Sequence, residues 1–176
     1  VLGSMEFNTV EEYAAHFIRF LEREQRLAPE DQQQTYFGTK LLLEFKKIRQ
    51  KVKEQIEWAF GNEKQLTDTQ INEIAYQVIV NEHERIKKID LIGNITQDFI
   101  DSTIDKYRDV IETIFNTTLN DFSFCDITPK VDDFVKTFIF GKEESEISSG
   151  VVFCGFGKED IYPSTVTFNI DTIINN

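Results

Sequence analysis

The sequence predicts a mainly helical fold, a bundle of four to six helices with a small C-terminal β-hairpin (α+β). Three observations carry that expectation. Apolar residues recur at three and four positions through most of the first 140 residues, the period of a helix buried on one side. Two capping boxes, Thr9-Val-Glu-Glu12 and Thr67-Asp-Thr-Gln70, mark helix starts, because each sets a hydroxyl three residues before a side chain that can reach back. After residue 150 the period drops to two, as in Thr165-Val-Thr-Phe-Asn-Ile170, the alternation of a half-buried strand.

The elements follow in order. Behind Thr9, a first helix carries the stripe Val10, Tyr13, Ala14, Phe17, Phe20 and Leu21, with His16 beside it as a partly buried histidine. Pro29 suits the first turn of a second helix. That helix should run to about Phe60 with Phe37, Leu41, Phe45, Ile48, Val52, Ile56 and Ala59 on one face. Gly61 is expected as its left-handed stop, and Gly38 is a place where it can break. Behind Thr67, a third helix carries Ile71, Ile74, Ala75, Val78 and Ile79 and fades near Lys88. A fourth starts at Asn94 or Thr96 and carries Ile100, Ile104, Tyr107, Ile111, Ile114 and Phe115. Thr128-Pro129 caps a short fifth helix, with Val131, Phe134, Val135 and Phe138, that stops near Gly141. Val151–Phe156 and Thr165–Ile170 then form the hairpin, and a two-stranded hairpin is marginal alone, so it must lie on the helices or complete a sheet. The expected organisation is a cloning remnant over 1–7, a helical domain over 8–141, an acidic loop over 142–149 and the hairpin over 150–176.

At 176 residues the chain is long enough to bury a core, and with 16 Phe against one Trp and one Met that core is built from Phe, Ile, Leu and Val. No apolar run approaches the ~20 residues a membrane helix needs, so no membrane partner is expected. The net charge of −12 is uneven: residues 1–89 hold 13 Lys and Arg against 15 Asp and Glu, and residues 90–176 hold 6 against 16. Such a surface repels phosphate backbones, so no nucleic-acid partner is expected either. The local exception is Lys40, Lys46, Lys47, Arg49, Lys51 and Lys53 on one helix, read as a solvated face.

No residues assemble a catalytic, cofactor or metal site. Asn81-Glu-His-Glu-Arg85 resembles the start of a zinc-protease helix, but the position four after His83 is Lys87, so His83 is read as part of a solvated face. Cys125 and Cys154 sit in apolar company and are expected as buried, reduced thiols, which points to the cytoplasm. Asp132 and Asp133 are read as first-turn acids behind Thr128. Gly155-Phe-Gly-Lys158 lacks the earlier glycine and following hydroxyl of a phosphate loop. Its glycines are expected to permit positive φ or close backbone approach.

The segment Gly150-Val-Val-Phe-Cys-Gly-Phe-Gly-Lys-Glu-Asp-Ile-Tyr-Pro-Ser164, with the helix Thr9-Val-Glu-Glu-Tyr-Ala-Ala-His-Phe-Ile-Arg-Phe-Leu21, resembles segments of uncharacterised, mostly bacterial proteins whose N-terminal half is similar to a proteasome-type N-terminal-nucleophile hydrolase. The resemblance implies that this chain is the helical middle and early C-terminal part of such a protein. Any hydrolase activity would then belong to the longer parent, with no catalytic residue here. The strand-like ending Asp171-Thr-Ile-Ile-Asn-Asn176 fits that expectation. The function expected is therefore a non-catalytic interaction or assembly domain of a larger cytoplasmic protein, without cofactor. Its contact is a protein partner or a second copy at the strand edge, through Val166, Phe168 and Ile170. Two other readings stand beside it: a free-standing acidic inhibitor or immunity protein that masks a basic partner, and a cysteine hydrolase using Cys154 or Cys125.

Overall fold

Thr9 has the extended backbone of a helix cap, φ −132° and ψ 161°, and its hydroxyl accepts from the Glu12 amide at 3.3 Å. The Glu12 carboxylate returns the bond one residue earlier than a standard box, accepting from the Asn8 amide at 2.9 Å. Helix α1, Val10–Arg23, starts there. The computed structural model describes residues 6–24, 28–62, 66–93, 95–119, 128–142 and 149–170, apart from the side chains of Glu22, Asn62, Thr128, Pro129 and Ile170. The described residues form six helices and one two-stranded antiparallel hairpin, the mainly helical α+β fold that the periodicity predicts.

Helix α2, Glu30–Asn62, is 33 residues long and unbroken. It passes through Gly38, where a Cβ would meet the side chains of Val110 and Ile114 at ordinary contact distance. Gly61 lies inside the helix, so the expected left-handed stop is not there. Nothing lies within 4 Å of a Cβ at that position, and neither packing nor strain demands a glycine. Helix α3, Asp68–Ile86, opens on the complete Thr67–Gln70 capping box.

The expected fourth helix is two. Helix α4, Gln97–Lys106, is capped by Thr96, and helix α5, Arg108–Leu119, follows after a break at Tyr107, φ −106° and ψ 19°. Backbone bonds still bracket the break, from Tyr107 N–H to the Thr103 carbonyl and from Ile111 N–H to the Tyr107 carbonyl. The Tyr107 ring, 2% exposed, stacks on Phe37 of α2 with centroids 4.5 Å apart, so packing anchors the bend. Helix α6, Thr128–Phe140, ends at Gly141, where a Cβ would overlap the Thr137 carbonyl oxygen. That end is stitched to the segment before α4 by a bridge between Leu91 and Gly141. Ile92 N–H donates to the Phe140 carbonyl at 2.8 Å and Lys142 N–H to the Asp90 carbonyl at 2.9 Å.

The chain divides into two compact units, one formed by Val1–Gln33 with Glu144–Asn175 and the other by Gln34–Glu143. The second unit holds most of the core. Phe37, Leu41, Phe45 and Val52 of α2 are fully buried, as are Ala75 of α3 and Val135 of α6. Phe45 is its hub, with ring contacts to Phe115, Phe134 and Phe138 at 5.8, 6.3 and 5.9 Å. Burying an aromatic side chain of this size gives several kcal/mol, so Phe45→Ala belongs among the costliest single changes in the chain.

In the first unit, strand β1, Ser149–Gly155, pairs antiparallel with β2, Ser164–Ile170, in the register Ser149↔Ile170 through Gly155↔Ser164. Phe153 meets Phe168 across the strands at 6.1 Å and Phe17 of α1 at 5.3 Å, so the apolar stripe of α1 is closed by the hairpin. The loop after β1 is tied to the chain before α1. Lys158 N–H donates to the Phe7 carbonyl at 3.1 Å and Glu159 N–H to the Asn8 carbonyl at 3.0 Å. Gly157 is buried with a Cβ position that would overlap the Asn8 backbone, and its N–H donates to Asp160 at 2.7 Å. Both expected glycine roles are therefore present, since Gly155 has φ 157°.

Candidate functional site

Alternation along the strands gives the hairpin two unlike faces. Val151, Phe153, Val166 and Phe168 are half-buried, whereas Val152, Cys154, Thr165, Thr167 and Asn169 are exposed. Val152 is 60% exposed and Phe156, two positions beyond Cys154, is 64% exposed. The connecting loop adds Ile161 at 84% and Tyr162 at 78%. Four large apolar side chains on one short hairpin face water, an arrangement that marks interaction surfaces more often than chance scatter. Among the described residues, neither strand has a second neighbour, so each presents an edge of unpaired backbone groups.

The residues expected at a partner contact are placed differently from one another. Val166 and Phe168 are half-buried, with Phe168 against Phe153, while the Ile170 side chain lies outside the described residues. The exposed apolar positions come instead from β1 and the loop. The signal for them was present in Val152-Phe-Cys-Gly-Phe156, where alternation assigns Val152 and Phe156 to the face opposite Phe153.

Cys154 is exposed, which corrects its expected burial: it points with Val152 to the open face, while Phe153 takes the covered position. Cys125 lies outside the described residues. His16 is half-buried in α1, with its ring 5.2 Å from Phe7.

His83 is not on a solvated face. It is 4% exposed, its Nε2 lies 2.9 Å from Asp133 Oδ2, and its ring is 5.6 Å from Phe134. Helix α6 covers that side of α3. Asp132 and Asp133 are correspondingly not first-turn acids of α6. One residue apart on a helix, they point about 100° from each other and tie α6 to two neighbours. Asp132 accepts from both guanidinium Nη atoms of Arg108 on α5 at 2.6 and 3.3 Å, and Asp133 meets His83 on α3. The hydrogen bond that Arg108 donates to Asp132, with a second to Asp105, holds its guanidinium above its already high ordinary pKa.

The lysine-rich face of α2 is solvated at Lys46, Lys51 and Lys53 but not at Lys40, which is 4% exposed. Lys40 follows Phe37 by three residues, on the side where the helix is covered. Between α2 and α3 runs a groove of about 680 Å³, floored by half-buried Ala59, Leu66, Ile74 and Val78 and rimmed by Gln55, Gln77 and Asn81. Glu82 lines it and accepts from Lys51 at 2.6 Å and from Arg85 at 3.0 Å. Burial pushes the Glu82 carboxyl up, but the hydrogen bonds from Lys51 and Arg85 outweigh it and hold the group below the usual carboxylate range. Among the described residues, no group of three or more His, Cys, Asp and Glu side chains is arranged to hold a metal ion, and no helix is long and apolar enough to cross a membrane.

These features define a mainly helical α+β protein with large apolar side chains exposed on its hairpin and connecting loop, and also at Trp58 and Phe60 near the end of α2. No family model, no curated protein and no solved structure matches the chain.

Proposed function

We propose that this chain is a non-catalytic interaction or assembly domain whose contact element is the hairpin. The carrying observation is the solvent exposure of Val152, Phe156, Ile161 and Tyr162 beside open strand edges. Burying such side chains against a partner is favourable at about 25 cal/mol per Å² of apolar surface, and strand edges add directional backbone bonds. The resemblance to the helical part of hydrolase-like proteins fits a domain that assembles with other parts rather than one that does chemistry itself. Replacing Phe156 and Ile161 together with Asp tests the reading. Capture of binding partners by the full chain should fall sharply while the helical circular dichroism signal persists. Equal capture by both proteins rejects the hairpin as the contact.

A specific observation favours the acidic-inhibitor reading as the second choice. Asp98, Asp101 and Asp105 on α4 and Asp109 and Glu112 on α5 are all exposed at helical spacing, which forms an acidic stripe. Binding to a basic protein that weakens steeply with salt, and that Asp101→Asn with Asp105→Asn abolishes, would select that reading.

A further inference from the structure

We propose that the partner at the hairpin is a second copy of this chain, joined through β1 in an antiparallel pairing centred on Cys154. This inference rests on the interaction reading above and names its partner.

Charge selects the strand region. The chain carries a net charge of −12, so most of its surface resists a second copy. Ser149–Gly157 contains no charged residue and no proline, the devices that usually blunt an exposed edge. Two copies can meet there without setting like charges against each other.

The exposed face selects β1 over β2. On that face β1 carries Val152 and Cys154, with Phe156 exposed just past its end, whereas β2 carries Thr165, Thr167 and Asn169. Joining two hairpins through β1 yields the four-strand order β2-β1-β1-β2, with apolar side chains at the centre and hydroxyls and carboxamides at the rim. That is the anatomy of a protein interface. Joining them through β2 would place threonines at the centre and leave Val152 and Phe156 outside.

Side-chain size selects the register. Centring on Cys154 sets Val152 opposite Phe156 of the second copy, so the two most exposed apolar groups of the strand cover each other. Phe153 then lies opposite Gly155 of the second copy, where no side chain competes with its ring. The two Cys154 Cα atoms would sit about 4.5–5.5 Å apart, a separation a short cross-linker spans.

So few paired residues bury less than ~1,000 Å², so the dimer should be weak and concentration-dependent. The experiment uses the full chain with Cys125→Ser, leaving Cys154 as the reporter, and combines sedimentation velocity with a short bismaleimide. The expected result is a dimer that grows with concentration up to roughly 500 µM and cross-links through Cys154. Val152→Lys and, independently, Phe156→Lys should each reduce cross-linking by about tenfold or more, because either buries an unpaired charge in the apolar centre. Thr167→Lys, on the rim, should leave most of it. A monomer at the highest concentration, or cross-linking indifferent to both β1 substitutions, overturns the proposal. Hydrogen exchange separates its failure from that of the broader reading. A monomer whose outward β1 amides, those that do not bond to β2, exchange freely rejects self-pairing alone, whereas a monomer with the outward amides also protected rejects the open edge as well.

Discussion

The His83 imidazole of α3 and the Asp133 carboxylate of α6 meet at 2.9 Å, although 50 residues separate them in the chain. The two ends of this contact are unlike: the His83 side chain is 5% exposed and the Asp133 side chain 54%. The histidine therefore supplies packing as well as a hydrogen bond, and the carboxylate remains hydrated when the bond is lost.

That asymmetry predicts unequal mutational costs. His83→Ala should lower unfolding stability by about 2–3 kcal/mol, from a cavity beside Phe134 and a lost hydrogen bond. Asp133→Ala should cost under about 1.5 kcal/mol, because the imidazole keeps its packing. Urea unfolding of the two variants measures the difference, and equal losses would contradict it.

Arg108 and Asp132 make a bidentate pair at 2.6 and 3.3 Å, but their side chains are 37% and 49% exposed. Solvent and salt screen such a pair. A double-mutant cycle with Arg108→Ala and Asp132→Ala should return a coupling of about 1 kcal/mol or less, falling further in 1 M salt.

Glu82 predicts an acid sensitivity. Its carboxyl titrates lower in the folded chain than its ordinary value of 4.5, so the unfolded chain binds the proton first as the pH falls. Its contribution to stability is full above about pH 4.5 and is lost as the pH falls from there through the lowered folded value. Urea midpoints taken between pH 7 and pH 3 should decline less steeply below pH 4.5 for Glu82→Gln than for the natural chain. Parallel declines would show that the hydrogen bonds from Lys51 and Arg85 do not act on folding.

Gly157 predicts a steric dependence in the other unit. Gly157→Ala should destabilise the α1–hairpin unit by about 1–3 kcal/mol, since its methyl group would displace the Asn8 backbone. The Lys158 and Glu159 amides, which donate to Phe7 and Asn8, should lose exchange protection. Gly150→Ala, with only Asn169 Oδ1 at 4.0 Å, is the control and should change stability by less than about 1 kcal/mol.

Features set by neighbours close in sequence were legible before the structure was known. The Thr67–Gln70 box, the stripe from Phe37 to Val52 and the alternation in β2 each follow from residues within a single helix or strand. Features set by distant packing were not. The break at Tyr107 leaves the apolar period almost intact, and what holds it is the Phe37 ring 70 positions earlier. His83 and Lys40 belong to polar stretches that become buried only once other helices cover them. Asp132 and Asp133 carry no local hint that Arg108 and His83 are their partners. On the hairpin, alternation correctly separated two faces, but which face α1 would cover depended on Phe17, far away in the chain.

The division of the chain also sets an order of birth. Phe17 leaves the ribosome 136 residues before Phe153, the ring that covers it. At about 5–20 residues per second that delay is roughly 7–27 s, and the whole of Gln34–Glu143 is synthesised within it. The middle of the chain can therefore fold first, while α1 waits with its stripe of Val10, Ala14 and Phe17 uncovered. During that interval the nascent chain offers chaperones an amphipathic helix that the finished protein conceals.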